Sequence, residues 1–266
     1  MCDKIISKAR ELRIIVEEFE RQTKIDWPKD IYDVLANHDF APLIGVICDG
    51  QMKVEDAYNI PLWFLKKLRS LEPDVILKEN IEGLIRSYFD HKGESKPKNI
   101  PTISKWIREA IKYFKAKNTT PIEIFEDREY LAPEVYFMLR DISGIGPKKA
   151  NMIVRDFIYM SEGLAGMHPW FDQIKRKRPK FKVAGAELTF VPVDIHVKRV
   201  FSRMLGNSLR NLTDYDIQMF SRLVFPEFPA RLDLLLWNVG REYCKRKRPK
   251  CSECIIKDIC DYAKPT

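Results

Sequence analysis

Four cysteines crowd the last tenth of this 266-residue chain: Cys244, Cys251, Cys254 and Cys260, spaced C-x6-C-x2-C-x5-C. Thiols clustered in this way, in a chain expected to be intracellular, read as metal ligands before they read as disulfides. Four thiolates suit zinc or an iron–sulfur cluster. Zinc ribbons place two short Cys-x-x-Cys pairs far apart, and this asymmetric spacing does not follow that plan. Cys2 and Cys48 stand alone. Two further segments carry groups able to bind or react. In ISGIGPKKA, Ile142–Ala150, Gly144 and Gly146 permit a tight turn, and Pro147 suits the first turn of a following helix. Such a turn aims backbone N–H groups from a helix start, where a phosphate is welcome, although glycines kept for packing would give the same pattern. In VPVDIHVKRV, Val191–Val200, Asp194 stands at a helix start. Aspartate there is a favoured cap, and a capping carboxylate is also held in its charged form.

Those groups need a scaffold, and the pattern predicts helices. Ile5, Ala9, Leu12, Val16 and Phe19 form one helical stripe. Val135, Met138, Leu139 and Ile142 form another, Ala150, Ile153, Val154 and Phe157 a third, and Val197, Val200, Phe201 and Met204 a fourth. Strand-like alternation is confined to Phe181–Val193, where a short hairpin is expected. Breaks are expected near Asp26–Lys29, at Gly93–Pro101 and across Ser161–Pro192. The last mixes Gly, Pro, aromatic and charged residues and is too long for a simple connector.

Composition narrows the partners. The net charge is +8, which points to an acidic partner without naming one. Its placement is more informative. The hexapeptide KRKRPK occurs at Lys175–Lys180 and again at Lys245–Lys250, which leaves the rest of the chain slightly acidic. Two compact basic segments suit contact with the backbone of a polyanion. Solvated loops and a nuclear localisation signal remain as other readings. No run of about 18 apolar residues offers a membrane span. The N-terminal MCDKIISKARELRIIVEEFERQ lacks the apolar core of a secretory signal. An intracellular protein is expected, in cytoplasm or nucleoid, or in the nucleus of a eukaryote.

Together the motifs resemble a known family. SGIGPKKANMIV, VPVDIHVKRVFSRML and LLLWNVGREYCKRKRPKCSECIIKDIC, in that order, look like the helix–hairpin–helix DNA glycosylases of the endonuclease III type. APLIGVICDGQMKVEDA is a weaker match to that family's early helix and Gln-containing turn. The resemblance implies an all-α, two-lobed fold. One lobe would be a helical barrel over 36–158 ending in the hairpin motif. The other would join 1–35 to 193–266 and hold a [4Fe-4S] cluster on Cys244, Cys251, Cys254 and Cys260. The interval between the two would be an insertion, 159–192, longer than is usual in the family.

The same resemblance implies roles. Lys148 would be the nucleophile that attacks the sugar C1′, and Asp194 the catalytic carboxylate that helps deprotonate it and stabilises positive charge on the sugar. Lys149 and the second basic run would lower the proton affinity of that amine. Gln51 would fill the gap left by an extruded base. Gly144, Gly146, Lys149, Lys245, Arg246, Lys247, Arg248 and Lys250 would hold DNA, together with Lys175 and Arg176 of the first run. His168, Trp170 and Phe171 of the insertion would lie near the cleft mouth, where aromatic rings could stack on a base. The implied partner is double-stranded DNA containing a damaged base, bound by a monomer. The implied reaction is base excision with strand nicking through a lysine Schiff base. Two alternatives stand beside it: base release by water that Asp194 activates, and damage binding without catalysis.

Overall fold

The structure, a computed structural model, describes residues 2–23, 28–162, 174, 176–206 and 212–264. The chain begins with α1 (Cys2–Gln22), α2 (Lys29–Asn37), α3 (Phe40–Cys48) and α4 (Val54–Leu68). There follow α5 (Pro73–Lys78), α6 (Ile81–Lys92), α7 (Ile100–Ala116), α8 (Ala132–Arg140) and α9 (Pro147–Glu162). After the expected insertion come α10 (Ile195–Leu205), α11 (Asp214–Val224) and α12 (Asp233–Glu242). Short 3-10 turns carry the chain through its C-terminal cysteines.

Helix ends follow local chemistry. Asn80 Oδ1 accepts from Gly83 N at 3.0 Å to open α6, and Gly93 closes it in the left-handed region. Pro147 opens α9, where a missing N–H costs nothing. Thr213 and Asp216 exchange hydrogen bonds at the start of α11.

The apolar faces bury into two cores. The first gathers α2 to α9, with Phe64, Phe89, Phe114 and Phe125 almost wholly enclosed. The second gathers Ala9, Leu12 and Val16 of α1 with Val197, Phe201, Leu235 and Val239 of α10 and α12, and reaches Cys254 and Cys260. The expected lobe boundary at 36 therefore moves. Ile31, Val34 and Leu35 of α2 are buried in the first core because their stripe faces α4, leaving only α1 with the cluster lobe.

The strand-like stretch does not fold on itself either. Val183 and Ala184 (β2) pair in parallel with Tyr130 and Leu131 (β1), just ahead of α8. Ile174, Phe181, Val183 and Ala186 are buried in the first core. The returning half of the insertion is therefore stitched to the barrel lobe. Its basic run follows: Arg178 Nη2 donates to Asp39 at 2.5 Å and Nη1 to Glu126 at 3.3 Å. Lys177 bonds Asn37 and the carbonyl of Ala36. His168, Trp170, Phe171 and Lys175 lie outside the described residues.

Candidate active-site cleft

The hairpin motif is a connector drawn tight between α8 and α9. Gly144 has a φ of +85°, and a Cβ there would come within 3.0 Å of the Trp106 side chain and 3.2 Å of Ile47. Glycine is therefore required twice, by backbone conformation and by space. Gly146 differs: a Cβ on it would meet nothing within 4 Å. The protein itself makes no demand for glycine at 146, so any demand must come from what occupies the cleft. We expect Gly144→Ala to lower the melting temperature by several degrees, as a loss of about 1–3 kcal/mol would. Gly146→Ala should leave melting unchanged, and paired thermal melts check both.

Lys148 and Lys149 follow Pro147 and point different ways. Lys148 Nζ donates to Asp49 Oδ2 at 2.8 Å, with its side chain 30% exposed and that of Asp49 12% exposed. Asp49 caps the C-terminal end of α3, its N–H donating to the Gly45 carbonyl at 2.9 Å. Lys149 is turned inward, Nζ donating to the carbonyls of Ile47 at 2.7 Å and Gly144 at 3.2 Å and lying over the Trp106 ring. It is thus a strut between α3 and the hairpin, on the wall of the cleft expected to meet phosphates.

Burial pulls the Lys149 ammonium down from 10.5 to about 8. A lysine depressed in the folded state binds fewer protons than the unfolded chain between those values, so stability should rise with pH from about 8 toward 10.5. The drop corresponds to about 3 kcal/mol. Lys149→Met should abolish that rise, measured as melting temperature against pH.

From the opposite lobe, Asp194 caps α10: Oδ1 accepts from His196 N and Val197 N, both at 2.8 Å. The helix start is held by close packing, because Gly240 of α12 lies against it and a Cβ there would come within 2.6 Å of His196 Cβ. That approach lets Arg199 reach the Gly240 carbonyl at 2.9 Å, the Cys244 carbonyl at 2.7 Å and His196 Nδ1 at 3.0 Å. One turn on, Arg203 donates to Cys244 Sγ at 3.3 Å and to the carbonyls of Lys245 at 2.8 Å and Arg246 at 3.2 Å. The helix that begins at Asp194 thus also shapes the second basic loop.

Lys148 and Asp194 line one open cleft of about 1440 Å³. Gln51, Gly144, Gly146, Lys245 and Arg246 line it with them, as do Trp106, Trp237 and Arg241. Gln51 is half-buried and its side-chain oxygen accepts from Asn99. Lys245, Arg246, Lys247, Arg248 and Lys250 are exposed. No described residue of 159–192 lines the cleft, and Arg176 is exposed away from it. The insertion expected at the cleft mouth instead packs, where described, on the barrel lobe from Ile174 to Ala186 and on the second lobe at Val191.

Sequence reasoning missed the groups that hold the lobes in register. Lys148, Met152, Arg155 and Tyr159 fall on one face of α9 at helical spacing. Arg155 pairs with Asp156 and with Asp233, the first residue of α12, and all three side chains are largely enclosed. Burial raises the Asp233 carboxyl to about 6, with the adjacent Arg155 opposing. Tyr159 donates to Glu20 of α1 at 2.6 Å, and Arg231 joins the same carboxylate. Arg241 bridges to Glu55 of α4 at 2.8 Å. A signal for Asp49 was available: a carboxylate at the C-terminal end of a helix faces the unfavourable end of the dipole and needs a cation.

The four C-terminal cysteines are free thiols lining a common pocket with Val200, Val239 and Ile256. Burial raises the thiols of Cys254 and Cys260, and the neighbouring cysteines raise them further. As thiolates they would repel one another without a cationic centre among them. Among the described residues no three His, Cys, Asp or Glu groups converge to hold a single metal ion. Four thiols lining one apolar pocket are a donor set that an iron–sulfur cluster can use. Residues 244–260, which include all four, match the family described as the iron–sulfur binding domain of endonuclease III. These cysteines are the ligands of a [4Fe-4S] cluster.

Solved structures identify the fold. A trapped covalent intermediate of endonuclease III with DNA superposes with a TM-score of 0.59 at 16% identity, covering 96% of each chain. A thermostable thymine-DNA glycosylase superposes with a TM-score of 0.60 at 15% identity, covering 97% of each chain. The class is therefore the two-lobed, endonuclease III-type helical fold. In sequence, 75 residues are 37% identical to endonuclease III of Sulfolobus acidocaldarius, 27% of this chain and 32% of that protein. The chain thus matches about a third of that relative's length. The chain therefore has an endonuclease III-type fold, and its C-terminal segment matches that family's iron–sulfur domain.

Proposed function

We propose that this protein is a base-excision repair DNA glycosylase that also nicks the strand, with Lys148 as nucleophile and Asp194 as the carboxylate that stabilises the sugar cation. The observation that carries this reading is that an amine and a carboxylate from separate lobes line one open cleft. An exposed basic loop, Lys245–Lys250, stands beside them, and the hairpin carries a glycine that no protein neighbour requires. Asp194, whose Oδ1 accepts two N–H groups at a helix start, is placed to face an oxocarbenium-like sugar. Lys148 would form the C1′ bond as the base departs, and β-elimination would follow from the Schiff base. Lys245, Arg246, Lys247, Arg248 and Lys250 would hold phosphates, Gly144 and Gly146 would bring backbone N–H groups to them, and Gln51 would enter the vacated stack. Cys244 and Cys251, which flank the loop bearing those charges, would fix it when they hold the cluster. A monomer inside the cell, on duplex DNA with one damaged base, is the working form proposed.

One observation favours base release by water instead: Lys148 is engaged by Asp49. A panel of duplexes, each with one defined lesion, tests both. Base release and nicking are assayed separately, and borohydride is added to trap any imine. Release with a trapped adduct supports the lysine route. Release without an adduct selects the water route, and neither on any lesion leaves damage binding alone.

A further inference from the structure

The proposed lysine route leaves one step without an agent. An amine attacks only as its free base, so a proton must leave Lys148 Nζ first. Asp194 is the expected acceptor, yet its Oδ1 already accepts two helix N–H groups at 2.8 Å. The carboxylate in contact with Nζ is Asp49, at 2.8 Å. Asp49 stands on the turn that also presents Gln51, and both line the cleft. Its carboxylate opposes the dipole of α3, and Lys148 Nζ is the cation in direct contact with it. The charged and titratable groups around it are Lys148 and Lys149 of α9, Asp156 of the same helix, Cys48 of α3 and Tyr58 of α4.

We propose that Asp49 is a second catalytic carboxylate, the base that accepts the Lys148 proton, while Asp194 serves the sugar cation. The proposal rests on the lysine route above. The Nζ proton passes to Asp49 Oδ2, and the freed lone pair forms the bond to C1′. The bond from C1′ to the base breaks, and its electron pair leaves with the base. Asp49 then returns the proton to the departing base and is a carboxylate again. On an abasic sugar the C1′ hydroxyl oxygen takes the place of the base as the leaving atom. This division of labour gives each carboxylate one task, set by its partners: two fixed N–H donors for Asp194, a transferable proton for Asp49.

An abasic duplex makes the test independent of the unknown lesion. Borohydride-trapped adduct is measured under single-turnover conditions across pH for the parent, Asp49→Asn and Asp49→Glu, with duplex affinity and thermal melting alongside. The adduct rate of Asp49→Asn should fall about 100-fold at neutral pH. It should recover toward alkaline pH, where solvent removes the proton, and affinity should hold. Asp49→Glu should restore most of the neutral rate and shift the acidic limb. A loss equal at every pH, or no loss, overturns the assignment. If Asp49→Asn does not fold, an unmoved acidic limb in Asp49→Glu overturns it instead. A parent that forms no adduct overturns the lysine route, and this assignment with it. A parent that traps normally beside an unaffected Asp49→Asn overturns this assignment alone.

Discussion

Lys148→Ala should abolish the trapped adduct, by at least about 1000-fold, while Lys149→Ala keeps it. The two lysines are neighbours in sequence, but only Lys148 faces the cleft with its amine toward an acceptor that could relieve it of a proton. The amine of Lys149 is spent on two backbone carbonyls beneath the hairpin. Losing it should loosen the turn and lower stability without removing the nucleophile. Asp194→Asn should slow base release by about 100- to 10,000-fold. An amide still accepts the helix N–H groups, so folding is preserved and the charge alone is lost. Single-turnover base release and trapping, read on the same duplex, separate the two roles.

The second large effect is on stability. Arg155→Ala should destabilise the protein by about 3–5 kcal/mol, because it strands two enclosed carboxylates without their cation. Asp156 and Asp233 both depend on that guanidinium, and Asp233 belongs to the other lobe. Denaturant unfolding measures the loss. Removing the demand as well as the supply should recover much of it: Arg155→Met with Asp233→Leu should be closer to the parent than Arg155→Ala. Activity should not return in that double variant. Arg155 lies two turns below Lys148 on one face of α9, and the pair sets how that face meets the lobe carrying Asp194.

The helices and the cluster ligands were legible in the sequence because each rests on local chemistry. Ala9, Leu12 and Val16 sit at helical spacing and are buried together. Asp194 precedes an amphipathic run and caps it. The cysteine spacing is a ligand set in one short segment. What sequence alone did not disclose depends on contacts between distant residues. Val183 and Ala184 alternate like a hairpin, yet their partner is Tyr130 and Leu131, more than fifty residues earlier. Lys177 and Arg178 read as free charge, yet Asp39, Glu123 and Glu126 neutralise the arginine. The resemblance implied a DNA contact for Lys149, whereas its amine bonds two backbone carbonyls across the hairpin. No motif in the sequence marks Arg155. Only the second lobe gives it a buried partner.

The joining of α1 to the C-terminal lobe has a consequence for how the chain matures. Lys8 is nearly enclosed, donating to the Met204 carbonyl at 2.5 Å and pairing with Asp261 at 2.8 Å, beside Cys260. α1 therefore finds its partners only after the segment from Val191 onward has been made. Until then its apolar stripe stays uncovered, whereas α2 to α9 can pack as they emerge. The contact of Lys8 with Asp261, beside Cys260, ties α1 to the segment that would hold the cluster. Cells starved of iron should accumulate a species with a formed barrel and a protease-sensitive amino-terminal helix.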